Sequence, residues 1–255
     1  MEIKNQTAFS AAIIGASIII ATVVGADSFL RARRLSNVLS VTGSAEKIVA
    51  SDTVKWQSSI SRSVDADKMA QGSEQIKNDI QTIKKHFGDL GIQENEITVS
   101  PATVNPVCES QNGAFYDRYG NQSCGASRTV GYNIQQVIIV ESSRVEEITE
   151  LAQTAADKFM GQGIIFTTQN MEYYYSKLAE LRLDLLSEAT KDAQARAQRI
   201  AESTGRKIDI LQSASQGVFQ VTAKNSVEVS DYGIYDTASR EKKITGVVRT
   251  SFILK

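Results

Sequence analysis

Two cysteines, a single histidine and three adjacent tyrosines are the residues whose types and spacing could do chemistry in this chain. Cys108 and Cys124 flank the segment ESQNGAFYDRYGNQS, which is rich in Gly, Asn and Ser and reads as a loop. Cysteines at the two ends of one loop read as a disulfide staple, worth about 3 kcal/mol by the chain-entropy argument. The other reading is a pair of free thiols. A disulfide would put the body in an oxidising compartment. No metal site is expected: two cysteines and His86 fall short of four zinc ligands, and His86 belongs to a separate helix. Tyr173, Tyr174 and Tyr175 could stack on a flat ligand. Adjacent tyrosines at a strand end more often place their rings on both faces and leave their hydroxyls wet.

The motifs of the common catalytic sites are missing from the sequence. It contains no Walker loop, no Gly-x-Gly-x-x-Gly after a strand, no His-Glu-x-x-His and no Gly-x-Ser-x-Gly elbow. A Ser-His-Asp triad would have to use His86, on the flank of a helix beside its apolar stripe. The chain is thus short of the commonest general base. The expectation is a non-enzyme with no catalytic, cofactor-binding or metal-ligating residues; an uncharacterised hydrolase is the minority reading. A net charge of −1 gives no field to attract nucleic acid.

The elements that would position these residues follow from hydrophobic period. The uncharged run Ala8–Ala26 (AFSAAIIGASIIIATVVGA) comes close to the ~30 Å bilayer core at about 1.5 Å per residue. It reads as a retained single-pass anchor, with the body outside the cytoplasm. Val24-Gly25-Ala26 also fits a signal-peptide cleavage site. Arg31, Arg33 and Arg34 argue for the opposite orientation, against the loop cysteines. Residues 1–36 therefore form an apolar signal-anchor with a basic juxtamembrane segment, and 37–255 the body.

Within the body, Val38–Gly43 and Ile48–Val64 read as strands around a turn near Gly43–Lys47. Ala66–Leu90 has helical spacing and stops at Gly91. Ile97–Val107 is a strand made irregular or an edge by Pro101 and Pro106. Arg128–Glu141 reads as a central buried strand. Ser143–Phe159 is a helix with a capping box from Ser143 and Glu146. Ile164–Tyr175 is a strand, and Ser176–Thr204 a long helix ending at Gly205. Along that helix Ala189, Ala193, Ala197 and Ala201 form a narrow strip that lets the axis approach a sheet closely. Ile208–Ala223 is a strand bent at Gly217, Lys224–Lys242 a polar excursion, and Ile244–Leu254 a closing strand tied into the sheet.

Three of these segments resemble the SIMPL domain family: VTGSAEKIVASDTVKWQSSI (Val41–Ile60), similar to its opening hairpin; DAQARAQRIAESTGRKIDIL (Asp192–Leu211), its Ala/Arg-rich helix, Gly stop and next strand; and the closing ITGVVRTSFIL. In order they cover nearly all of residues 37–255. Ser51-Asp52 stands where many members carry Pro-Asp, and the stapled loop 108–124 looks like an insertion. The resemblance implies an α+β body in two parts, mostly antiparallel sheets packed with long helices behind an N-terminal transmembrane helix. Some relatives look like ring- or channel-shaped homo-oligomers, and others are linked with oxidative-stress defence. It carries over no catalytic residues. The expectation is a homo-oligomeric ring or cage, anchored in the bacterial inner membrane through residues 8–26 and facing the periplasm. The alternative is a soluble periplasmic binding or stress-protection module released after Ala26. No nucleic acid or cofactor is expected, and the small-molecule ligand is unknown.

Overall fold

The computed structural model describes residues 15–26, 37–110, 115–116, 118 and 122–255. Part of the expected span Ala8–Ala26 lies outside them; residues 15–26 are helical and largely exposed. Among the described residues, no helix is long and apolar enough to cross a membrane. The arginines at 31, 33 and 34 also lie outside the described residues.

The body is a mixed α/β fold built on two antiparallel sheets, each with its own core. The first contains β1 (Val38–Ala50), β9 (Ile208–Gln216), β10 (Gln220–Ala223) and β11 (Glu241–Leu254). In it β11 is central, with β1 along one side and β10 and β9 sharing the other. The second sheet runs β3 (Ile97–Val99), β7 (Thr129–Ser142), β2 (Thr53–Asp65), β8 (Ile165–Tyr174), with β4 (Thr103–Cys108) also on β7. A short hairpin, β5 (Phe115–Tyr116) with β6 (Gln122–Ser123), stands apart. Helices α1 (Met69–Asp89) and α2 (Val145–Met160) cover the second sheet, and α3 (Leu178–Ser203) covers the first.

The opening hairpin expected from the sequence does not form. Val38–Ala50 is one continuous strand, and β1 and β2 leave Ser51-Asp52 for different sheets. Residues Gly43–Lys47 alternate without a break because Gly43 is needed as strand backbone, not as a turn. A Cβ there would lie 2.2 Å from the Ala189 carbonyl oxygen, so only glycine lets α3 settle on β1. Ala189, Ala193, Ala197 and Ala201 are all buried on that contact, so the small-residue strip does what its spacing implied.

The second core gathers around Trp56, fully buried with its ring 5.5 Å from Phe87 and 5.7 Å from Phe166. The apolar stripe of α1 puts Ile76, Ile83 and Phe87 into it. Gly91, at φ 79°, ends the turn after α1 as expected. The capping box at Ser143 and Glu146 is not made. The α2 helix begins at Val145, Ser142 Oγ accepts the Arg144 N–H, and Glu146 instead pairs with Arg240. The strand expected over Ile97–Val107 is split into β3 and β4, with Pro101 in the gap and Pro106 within β4. Likewise Ile208–Ala223 divides at Gly217–Phe219 into β9 and β10. Lys242 belongs not to the polar excursion but to β11, where alternation turns it inward opposite Val49.

Candidate functional site

Three places in this fold bring polar or exposed groups together: the joint between the sheets, the stapled hairpin, and the free edges of the first sheet.

The joint is built where the chain passes from β1 to β2. The Ser51 N–H donates to the Arg240 carbonyl and the Asp52 N–H to the Tyr174 carbonyl. The Asp52 carboxylate accepts the Ser176 N–H at 2.8 Å and its hydroxyl at 2.7 Å, fixing the chain just before α3. Burial pushes the Asp52 carboxyl up, but these bonds from Ser176, with one from Thr53, outweigh it and hold the group below its ordinary value. From the other side, the Tyr173 N–H donates to the Thr237 carbonyl. Lys242, 2% exposed, donates to the carbonyls of Asp236 at 2.6 Å and Ser239 at 2.8 Å, with the Asp236 carboxylate 3.7 Å away. Burial lowers the Lys242 ammonium pKa, against the pull of Asp236. Lys242 thus pins the excursion before β11 to the joint.

The residues singled out in the sequence separate in space. Cys108 and Cys124 are bonded, Cα to Cα 5.4 Å, at the base of the loop that carries β5 and β6. Phe115 and Tyr116 are exposed in that hairpin. His86 is half-buried on α1 with its ring edge-on to Phe159 at 5.5 Å. The three tyrosines at the end of β8 point to different surroundings. Tyr173 is buried in the second core with its hydroxyl against Thr149, Tyr174 donates to Glu172, and Tyr175 packs on the first core. Of the residues with shifted acidity, Asp236 and Lys242 share one contact, while Asp52, Glu96 and Tyr174 each owe their shift to other partners. Among the described residues, no three His, Cys, Asp or Glu side chains are grouped to hold a metal.

Two polar features were not read from the sequence. Arg62 of β2 clamps Asp79 of α1 with two hydrogen bonds, of 2.6 and 2.8 Å. Asp79 is buried, and its spacing from Ile76 and Ile83 put it on the inward stripe, the signal that could have found it. The buried Lys242 was legible too, since it continues the inward alternation of Ile244, Gly246 and Val248.

The first sheet has an edge strand on each side among the described residues. In it β1 pairs only with β11, along thirteen residues, leaving its outer side unpaired among the described residues. On the far side β9 also pairs only with β11. Every β9 residue after Ile208 is exposed, including Ile210 at 59% and Leu211 at 50%. On β1 the Ser44 N–H is already taken by the Asp192 carboxylate; edge strands with unpaired backbone groups are templates for a further strand.

The family model described as SIMPL, protein of unknown function (DUF541), matches residues 39–251. No curated protein matches the chain.

Proposed function

The chain belongs to the SIMPL family, and from that premise we propose that it is a non-enzymatic envelope protein that assembles with copies of itself into a ring or cage. Its body faces the periplasm, and residues 8–26 anchor it in the bacterial inner membrane. The observation that carries the assembly is the first sheet, where among the described residues β1 is unpaired on one side and the exposed β9 unpaired on the other. The two edges differ in sequence, so joining β1 of one subunit to β9 of the next is a head-to-tail contact, and such contacts close into rings when the rotation permits. The disulfide between Cys108 and Cys124 supports an oxidising compartment. The uncharged length of Ala8–Ala26 supports anchorage.

A second reading is a soluble periplasmic module for binding or oxidative-stress protection. The small residues Val24-Gly25-Ala26, which fit cleavage after Ala26, favour it.

The assembly is tested by placing charge on the exposed edge. Replacing Ile210 and Leu211 with lysine should reduce the species seen by sedimentation to a monomer while leaving the circular dichroism spectrum unchanged. An assembly of unchanged size in that variant would refute edge pairing through β9.

A further inference from the structure

Between β10 and β11 the chain leaves the sheet as a strap, residues 224–240, and part of it folds back over the sheet's outer face. Lys243 Nζ holds it at the Ser226 carbonyl, 2.7 Å away, and Gln220 Nε2 holds it at the Ser230 carbonyl, also 2.7 Å away. Between strap and sheet lies a groove of about 640 Å³, reaching from Glu46 on β1 across Thr245 and Val247 on β11 to Gln220 on β10.

The floor of this groove holds an unmet acceptor. On β10, Val221 turns into the core under α3, so Gln220 and Thr222 project from the opposite face, under the strap. Gln220 is 8% exposed, and its Oε1 is buried without a hydrogen-bond partner. The bond from Nε2 to the Ser230 carbonyl fixes which end of the amide is the oxygen. What is missing is a donor.

The charge of the lining points the same way. Glu46, Glu228 and Asp231 border the groove, and none of them makes an ion pair among the described residues. Lys243, the one cation lining the groove among the described residues, already donates to the strap. Val227 and Val229, 90% and 83% exposed, add apolar surface beside the carboxylates. A bare metal ion is a poor match, since no cluster of metal-ligating side chains occurs among the described residues.

We propose that this groove binds a small aliphatic ammonium compound. One ammonium donates to Gln220 Oε1 as the strap shifts to admit it. The charge is balanced by Glu46, Glu228 and Asp231, and the chain lies against the valines. The groove reaches the β1 edge at Glu46, but its buried acceptor lies on β10, away from both edges, so binding can be measured whether or not the chain assembles.

Calorimetric titration of the full chain with diaminobutane tests it, with butanediol as the uncharged control. The diamine should bind saturably, the diol should not, and added salt should weaken the diamine. Replacing Gln220 with methionine, which keeps the bulk but removes the acceptor, should weaken binding about tenfold or more. The exposed-rim double variant Glu46→Gln, Glu228→Gln should weaken it about threefold or more and keeps the test open if the first variant does not fold. No saturable binding, equal binding of the diol, or undiminished affinity in a folded variant would overturn the proposal.

Discussion

At the residue scale the account rests on a few polar side chains that lock elements together. Asp52 holds the chain before α3 through Ser176, and its folded-state pKa lies below the ordinary 3.8. The stability it contributes is therefore complete above that unfolded value and is lost as pH falls from about 3.8 through the depressed folded one. Denaturation midpoints measured from about pH 5 down to about pH 2 should drop less steeply in Asp52→Asn than in the native chain. Equal slopes would remove Asp52 from the acid transition. The Arg62–Asp79 clamp is less exposed, so losing one partner leaves the other poorly solvated. Asp79→Ala should cost about 2 kcal/mol, below the range for fully buried pairs because Arg62 still reaches water. A double-mutant cycle with Arg62→Met, read by urea denaturation, separates the coupling from the loss of each side chain. Asp79 was legible only as a polar residue on an apolar stripe. Its partner was not, because no local pattern says which strand residue a helix will face. The acceptor on Gln220 was beyond reach for the same reason: its isolation depends on a strap seventeen residues removed from regular pairing.

At the scale of elements, local period was a good guide and pairing was not. The long helices, the central β7, the glycine stops and the alanine strip all follow from spacing along one segment. The supposed hairpin of β1 and β2 failed because sequential strands carry no statement of partner; Ser51-Asp52 is a crossing between sheets, held by Arg240 and Tyr174. The turn assigned to Gly43–Lys47 failed because glycine was read as a breaker when its role is to admit a helix. Gly43→Ala makes that role measurable. Its Cβ would meet the Ala189 oxygen and the Ala193 nitrogen at 2.2 and 2.3 Å, so α3 must move, at a cost of about 2 kcal/mol or more in a thermal or chemical melt. A neutral result would mean that α3 is seated loosely. The stapled loop makes a comparable statement: Cys108→Ser with Cys124→Ser should lower stability by about 3 kcal/mol, leaving the two main sheets folded. No loss would show that the staple serves the hairpin's shape alone.

For the whole molecule, sheets, helices and family were legible, while assembly and membrane attachment depend on contacts beyond a single chain. Each sheet has buried apolar clusters of its own beneath its helices. What invites explanation is a central β11 flanked by a long strand on one side and, on the other, one exposed at every residue after Ile208. The proposed head-to-tail pairing would cover both edges, and an N-terminal anchor would align every subunit with the same face toward the membrane. The direct measurement is the native mass of the full chain extracted in mild detergent. The account predicts a single species of three or more intact 27.8 kDa subunits, each retaining residues 1–26. A monomer that begins after Ala26 would contradict it.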